Sequence, residues 1–389
     1  MLKKGLIILC IFYFSCENEE KTFTISKTDA EIRINKILLD TILISHPNTS
    51  FQGFMKFDSS KKEIIYFDEL FSTVSRFTLD GKFIESLLGK GDSPKEVQGI
   101  NNYLKLENEH LIFKGYSVYH FNENWERTKK TTLNFESEKS FKELENNPKP
   151  EDIGIYEVKY FNNDFLMYDM NHIMFNIETT HPKYNGYLST TSKNYFESAK
   201  ILGVAELNSG KVTSLQGKYS TIYRNLNNIP NFANWHFDKN NDDIYLNFEA
   251  DSLIYVYDKS FNPVKGFGRS GKVNNTKYRK TNSYDDAMNL NYSDRQRYGY
   301  YYTLKCFPQK SLIFRCYKLG TNQDVENINK DNPDDENPMR MQIYLNEILV
   351  GDVPVPNHFK IIGTDGKYFY ADGFMNEENG VLGFYRFSL

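Results

Sequence analysis

The feature that most constrains this chain is a hairpin that recurs along most of its length. Each copy has a segment of alternating apolar and polar residues, a tight turn and a second such segment, and an Asp-Gly turn such as Asp80-Gly81 is a strong hairpin signal. The five copies span Val74–Gly89, Val118–Leu133, Gly203–Gly217, Leu253–Gly268 and Met341–Val353. Each follows a shorter pair of strands, so one unit covers about 40–55 residues, a period typical of four-stranded propeller blades.

A sixth unit is incomplete at the C-terminus. Lys367–Leu389 supplies inner strands, and the chain stops where the outermost strand would come. The missing strand is present in Glu31–Ser45, where Ile32 and Ile34 alternate with polar residues before the phase slips by one near Lys36. An N-terminal strand in the sixth blade would close the ring and remove an open sheet edge. We therefore predict an all-β, six-bladed β-propeller whose ring is closed by an N-terminal strand.

Other counts and architectures fit the pattern less well. A β-sandwich or two stacked β domains would also contain many hairpins, and a ring of five or seven blades would need a different grouping. The hairpins recur without an interdomain linker, however, and the two ends of the chain are complementary. The 28 Tyr and 30 Phe also favour pleated surfaces over helices. These observations favour the six-bladed ring.

The first sixteen residues have the order of a bacterial lipoprotein signal. Lys3 and Lys4 precede an apolar run from Leu6 to Phe14, which is too short to span a bilayer, and Ser15-Cys16 follows. The alternative is an ordinary secretory signal with an incidental cysteine, because Tyr13, three residues before Cys16, stands where a lipoprotein signal usually has Leu. The predicted organisation is a signal over 1–16 with Cys16 lipidated, a polar tether over 17–30 and the propeller over 31–389.

The acidic residues after the cysteine indicate a destination. Glu17-Asn18-Glu19-Glu20 resembles the export signal of Bacteroidota surface lipoproteins, which implies an outer-membrane lipoprotein of the cell envelope, exposed at the surface and bound to the membrane through its lipid. No later apolar run approaches the ~20 residues that a transmembrane helix needs. A net charge of −4 and a pI near 6.1 give no electrostatic footprint for nucleic acid, so no nucleic-acid partner is predicted.

One hairpin and the segment after it carry a family resemblance. In Phe77–Gly99, a strand, an Asp-Gly-Lys turn and a second strand lead into a segment with Gly89, Lys90, Gly91, Pro94 and Glu96. This block resembles the blade signature of an uncharacterised family of six-bladed β-propeller lipoproteins of Bacteroidota, a domain of unknown function. A weaker copy, Phe267–Lys272, lacks the Pro and Glu. The resemblance implies the propeller and the lipid anchor but no particular chemistry.

The sequence contains no established catalytic motif. It has no Walker A order, no G-x-S-x-G elbow and no H-E-x-x-H, so we assign no catalytic residue, cofactor or metal. His172, His181, His236 and His358 could meet at a channel mouth, although such residues are more often solvated or hydrogen-bonded singly. The predicted function is therefore a binding or interaction scaffold for a glycan, a peptide or an envelope protein. The alternative is a metal-assisted hydrolase or lyase acting on a glycan or peptide in the channel.

Two aromatic segments are the candidate binding residues. Tyr300, Tyr301 and Tyr302 follow Arg295 and Arg297, and Trp235 is followed by His236. Tyr and Trp combine an apolar face with a polar tip, which suits stacking on a sugar or peptide at a wet surface. The alternative is that both segments are inner strands packed between blades.

Several remaining features have structural consequences. Cys306 and Cys316 flank a hairpin and could form a disulfide outside the cytosol or remain two reduced, buried thiols. Three long polar stretches are predicted connections between strands, and rigid folds carry function on such loops. They are Asn134–Asp152, Ser270–Arg297 with a short helix near Tyr284–Leu290, and the acidic Gly320–Pro338, which is predicted to be mobile.

Overall fold

The computed structural model describes residues 22–44, 49–160, 164–184, 193–223, 234–272, 279, 293–320, 337–376 and 380–389. Its strands form six sheets of four or five strands, and these are the six blades of a β-propeller. The predicted fold class is confirmed, and each of the five sequence hairpins forms the third and fourth strands of one blade, counted outward from the channel.

The strands follow one another along the chain with few helices between them. Three N-terminal strands come first: β1 (Thr24–Ile25), β2 (Ala30–Ile34) and β3 (Asp40–Ile44). Blade 1 has β4 (Gly53–Asp58), β5 (Glu63–Asp68), β6 (Val74–Thr78) and β7 (Phe83–Leu87). Blade 2 has β8 (Asn102–Lys105), β9 (Glu109–Lys114), β10 (Ser117–Asn122) and β11 (Arg127–Thr132). Blade 3 has β12 (Tyr156–Val158), β13 (Phe165–Met167), β14 (His172–Thr179), β15 (Leu202–Glu206) and β16 (Val212–Gln216).

The second half of the ring repeats this order. Blade 4 has β17 (Trp235–Asn240), β18 (Asp243–Phe248), β19 (Ile254–Tyr257) and β20 (Pro263–Phe267). Blade 5 has β21 (Gly299–Phe307), β22 (Leu312–Leu319), β23 (Met339–Leu345) and β24 (Ile348–Val355). Blade 6 has β25 (Lys360–Thr364), β26 (Phe369–Asn376) and β27 (Val381–Phe387). Short helices are α1 (Phe141–Asn146), α2 (Lys193–Ser198) and the 3-10 turns Ile153–Ile155 and Pro308–Lys310.

The hydrophobic core consists of layers between neighbouring blades, which the abundant aromatic residues fill. Between blades 5 and 6, for example, the Phe369 ring lies 5.0 Å from Phe314 and 5.4 Å from Phe387. All three side chains are at most 3% exposed. Each buried aromatic ring removes a large apolar area from water, so these layers hold adjacent blades together.

The N-terminal segment closes the ring, as predicted, but along a longer path. β3 pairs antiparallel with β27 and becomes the outer strand of blade 6. The predicted single strand over Glu31–Ser45 is nevertheless two strands, because β2 pairs in parallel with β24 of blade 5. The chain crosses from one blade to the next over residues 35–39, at the phase slip seen in the sequence.

The predicted polar tether over residues 17–30 is wrong from residue 23 onward. β1 pairs in parallel with β20 of blade 4, and the Phe23 ring lies 4.8 Å from Tyr255. Thr28 is 5% exposed and its hydroxyl accepts a 2.6 Å hydrogen bond from the Gly268 amide. Residues 23–44, which we call the N-terminal belt, therefore run along the outer edges of blades 4, 5 and 6.

The two faces of the ring differ in their connections. On one, the short-turn face, every connection within a blade is five residues or shorter, the longest being 207–211 and 258–262. Connections that begin and end on the other, the long-loop face, include 88–101, 133–155, 180–201, 217–234, 268–298 and 320–338. The predicted connection Asn134–Asp152 belongs to this face and contains α1. The predicted helix over Tyr284–Leu290 and residues 321–336 of the predicted mobile stretch lie outside the described residues.

The two remaining cysteines are free thiols on opposite faces of blade 5. Cys306 packs in the layer against blade 4, and Cys316 packs in the layer against blade 6. The register of β21 and β22 is consistent with this separation, because Cys306 is opposite Ile313 and Cys316 is opposite Thr303. A disulfide between them is incompatible with this geometry.

Candidate functional site in the central channel

The innermost strand of each blade borders the central channel, and ionisable side chains interrupt these otherwise apolar strands. Lys56, Lys305 and Lys360 lie in the inner strands of blades 1, 5 and 6, and His236 and Asp238 lie in that of blade 4. Asp164 immediately precedes β13, and Asp372 lies opposite Lys360 in blade 6. We call these seven residues the channel cluster. Each is partly exposed, whereas neighbours such as Met55, Phe237 and Ile361 are buried between blades.

Asp164 and His236 form a pair across blades 3 and 4. His236 Nδ1 lies 2.7 Å from Asp164 Oδ2, and the Asp164 amide donates a 2.7 Å hydrogen bond to Asn176 Oδ1. Burial opposes ionisation of Asp164, but the adjacent His236, followed by Lys360 and Lys56, lowers the pKa of Asp164 to about 2. Asp164 is therefore a carboxylate at neutral pH.

Asp238 and Lys305 form a second pair, across blades 4 and 5. Lys305 Nζ lies 3.0 Å from Asp238 Oδ2, which also accepts a 2.8 Å hydrogen bond from the Cys306 amide. Burial opposes the charge on Lys305, but Asp238 outweighs it and raises the pKa of Lys305 above its usual value. The pair therefore compensates the charge of Lys305 at the junction of blades 4 and 5.

Asp372 has its partners in the backbone. Its Oδ2 accepts a 2.8 Å hydrogen bond from the Met55 amide of blade 1, and its Oδ1 accepts a 2.7 Å bond from the Gly373 amide. Burial raises the pKa of Asp372 above that of a solvated carboxyl. Asp372 thus joins blades 6 and 1 without forming an ion pair with a lysine.

Lys56 and Lys360 lack such partners. Neither ammonium group makes a hydrogen bond or an ion pair with any residue that the structure describes. The Nζ of Lys56 lies 5.6 Å from the centre of the Phe54 ring. Burial and then the charge of Lys360 lower the pKa of Lys56 to about 7, so this amine titrates in the physiological range.

A second polar network lies nearer the long-loop face and joins blades 3, 4 and 5. Lys159 Nζ donates a 3.1 Å hydrogen bond to Asn234 Oδ1, and Asn234 Nδ2 donates a 3.2 Å bond to Glu249 Oε2. Arg295 Nε lies 3.4 Å from the same carboxylate oxygen. Burial lowers the pKa of Lys159 and raises that of Glu249. These four side chains are at most 8% exposed, so the network holds the blades together.

The structure brings part of the predicted binding set into this network. The Lys159 ammonium lies 4.0 Å from the Trp235 ring centre, and the Arg295 guanidinium lies 4.2 Å from that of Tyr300. Trp235 and Tyr300 are 0% and 3% exposed, so both rings are packed between blades, as the alternative interpretation proposed.

The other predicted binding residues are divided among different surroundings. Tyr301 is 1% exposed and stacks on Arg315, whose guanidinium lies 4.1 Å from the ring centre. The Tyr302 and His236 rings lie 6.3 Å apart beside the channel. Arg297 is in the helical turn 293–298 that precedes β21. The three tyrosines do not share one exposed surface, and Cys16 lies outside the described residues.

Most of the channel cluster was missed from the sequence, although a signal was present. A lysine follows apolar neighbours in FMKF (Lys56), TLKCF (Lys305) and HFKII (Lys360), each in the inner strand of its blade. A single lysine inside an apolar strand contradicts the pattern of a buried strand. A comparison of the inner strands of the repeats would have identified these lysines as exceptions to the apolar pattern.

The histidines singled out in the sequence lie at different places. His172 bonds to Asp169 on the short-turn face, with Nδ1 2.8 Å from Oδ1, whereas His181 Nε2 lies 3.1 Å from the Glu145 carbonyl near α1. In the described ranges, no three His, Cys, Asp or Glu side chains are grouped so that they could hold a metal ion. Nor does any helix among these residues have the length and apolar character needed to cross a membrane.

Comparisons with known proteins show the fold. No family model and no curated protein matches the chain. A structure from Bacteroides vulgatus, described as a member of the DUF4221 family, is similar with a TM-score of 0.66 and 11% identity over 93% of this chain and 99% of that one. A Bacteroides fragilis protein described as exported is similar with a TM-score of 0.54 and 12% identity over 94% of this chain and 99% of that one. The predicted resemblance to uncharacterised Bacteroidota propellers is confirmed at the level of the fold.

Proposed function

We propose that this chain is an outer-membrane lipoprotein of the cell envelope whose propeller is a binding scaffold. The lipid is attached to Cys16, and the long-loop face engages a glycan, a peptide or another envelope protein. The observation that carries this proposal is the difference between the two faces of the ring. One face consists of tight turns, whereas the long connections begin and end on the other.

The physical reason is that a rigid ring positions variable loops. Loops can differ in length and sequence without disturbing the sheets, so binding residues concentrate on them. The buried network of Lys159, Asn234, Glu249 and Arg295 lies beneath the long-loop face and fixes three blades against one another. A partner bound at this face would therefore contact loops that are held on rigid blades.

A pair of matched positions tests which face binds. Phe141 on α1 at the long-loop face is 80% exposed, and Met170 in a turn of the short-turn face is 90% exposed. A photoreactive residue placed at either position should cross-link a partner on intact cells from position 141 and not from position 170. Equal cross-linking from both positions, or cross-linking from 170 alone, would contradict the proposal.

The lipid anchor has its own test and its own control. Cys16→Ser should abolish incorporation of labelled palmitate and release the protein into the soluble fraction. Cys10→Ser removes a thiol from the same signal segment and should leave labelling unchanged. Labelling that persists in Cys16→Ser would show that the lipid is elsewhere or absent.

Surface exposure depends on the acidic residues after Cys16. Because the belt is docked from residue 23, only residues 17–22 separate the anchor from the ring. Replacing Glu17, Glu19 and Glu20 with Ala should preserve palmitate labelling and reduce protease accessibility on whole cells. Equal accessibility before and after the change would place the export information elsewhere.

A further inference from the structure

Two lysines of the channel cluster have no direct partner in the described part of the chain. Asp164 is paired with His236, and Asp238 is paired with Lys305. The remaining carboxyl, Asp372, already accepts hydrogen bonds from two backbone amides. Lys56 and Lys360 therefore remain as two amines that make no hydrogen bond or ion pair with a described residue, although the charge of Asp164 acts on both.

The fold places these two lysines together. Lys360 is opposite Asp372 in the β25–β26 ladder, and Asp372 bonds to the amide of Met55, the residue before Lys56. The inner strands of blades 6 and 1 also approach closely at Gly363, where a Cβ atom would lie 2.4 Å from the Phe57 ring. Two like charges at such a junction repel each other, and an anion bound directly to both would reduce that repulsion.

We propose that the central channel binds an anionic group between Lys56 and Lys360, such as a sulfate or phosphate ester or the carboxylate of an acidic sugar. Each ammonium group has three donor protons, and charge-assisted hydrogen bonds to an oxyanion are stronger than neutral ones. The anion supplies the direct hydrogen-bond partner that neither lysine has among the described residues. Asp164, beside both lysines, repels the anion and limits where it binds.

Electrostatics makes this binding depend on pH. Lys56 is faced by Lys360, Asp164, Lys305 and Asp372, and its pKa of about 7 means that it gains its charge as the pH falls from 8.5 to 6. Affinity for an anion that keeps its own charge over this range should rise on acidification. Sulfate meets that condition, and it is therefore the primary probe.

The experiment is calorimetric titration of the detergent-solubilised full chain with sulfate and, separately, with galacturonate, at ionic strength matched with sodium chloride. Lys56→Gln and Lys360→Gln should each weaken binding about 10-fold or more, because one charge-assisted hydrogen bond contributes ~1.5–3 kcal/mol. Lys142→Gln, an exposed lysine on α1, should bind like the unchanged protein. Unchanged melting temperatures without ligand would show that the variants are folded.

The two probes separate the sources of the anion. Tighter binding of sulfate indicates an ester or inorganic oxyanion, and tighter binding of galacturonate indicates a carboxylated glycan. Failure of both to bind at millimolar concentration overturns the proposal, as does binding that survives in the Lys56→Gln, Lys360→Gln double variant. A pH dependence unchanged in Lys56→Gln overturns the role of Lys56. None of these outcomes depends on the lipid or on the face that contacts a partner.

Discussion

The outer strands at the rim of the ring have edges that could pair with another chain. Blades 4 to 6 and blades 1 to 3 protect these edges differently. In the first half of the ring the outer strands β7 and β11 have one open edge, and β11 is the basic strand RTKKTT, in which three of the six side chains are exposed. In the second half the belt adds β1 to blade 4, β2 to blade 5 and β3 to blade 6. The covered strand β24, ILVGDVPV, is mostly buried. Charge protects the open edge of β11, whereas the apolar edge of β24 is covered with another strand.

Removal of the whole belt is the change expected to have the largest effect on stability. Deleting residues 17–45 should unfold or aggregate the protein, because β27 loses its partner strand and buried side chains such as Ile37 and Ile44 are lost. Each buried aliphatic side chain contributes ~1.5–3 kcal/mol, against a total stability of ~5–15 kcal/mol. Circular dichroism and size-exclusion chromatography would check this. A monomeric product with an unchanged melting temperature would show that the ring does not need the belt.

Adjacent residues of the belt offer a matched pair with a smaller effect. Ile37 is 8% exposed and packs between blades 5 and 6, whereas Leu38 is 77% exposed. Ile37→Ala should lower the free energy of unfolding by ~2–4 kcal/mol, and Leu38→Ala by less than ~0.5 kcal/mol. Urea unfolding measures both. Similar losses at the two positions would mean that the crossing between blades is not packed as described.

Shorter deletions test where the belt begins. Removing residues 17–30 should leave a folded ring that is less stable by about 2 kcal/mol, since it loses the Phe23 ring contacts and the Thr28 hydrogen bond. Removing residues 17–22 alone should leave the unfolding midpoint unchanged. If the two deletions have the same midpoint, the contacts of blade 4 with the belt contribute nothing.

The smallest expected effect on stability is at the open rim. Lys130→Val on β11 should change the free energy of unfolding by less than ~0.5 kcal/mol yet increase self-association, because it removes a charge that protects an open edge. Lys142→Val, away from any strand, serves as the control. Analytical ultracentrifugation that finds both variants equally monomeric would contradict the role assigned to charge at this rim.

The sequence predicts the local parts of this fold well and its long-range parts less well. Hairpins such as Val74–Gly89 are recognisable because both strands and the turn are contiguous. The phase slip near Lys36 was visible too, but its meaning, the passage from blade 5 to blade 6, depends on partners more than 300 positions away. β1 pairs through only two residues, Thr24 and Ile25, which is too short for a periodic signal.

The candidate site was harder to predict for a related reason. Trp235 and Tyr300 attracted attention as aromatic residues, but their burial depends on neighbouring blades that a local pattern does not reveal. Lys56 and Lys360 are far apart in the chain and become neighbours only because blade 6 closes against blade 1. Their significance comes from the lack of a direct hydrogen-bond or ion-pair partner among the described residues, which only the three-dimensional arrangement shows.

The belt also sets the order in which the molecule can be completed. Residues 40–44 leave the ribosome more than 330 residues before their hydrogen-bonding partners, residues 382–386. Contacts between such distant segments form late and slowly, because a long loop must close before they are made. The residues of β3 therefore remain without their partner strand until blade 6 has been made. Their apolar side chains need shielding by a chaperone until blade 6 is present. The pairing that closes the ring therefore involves one of the first strands to be made.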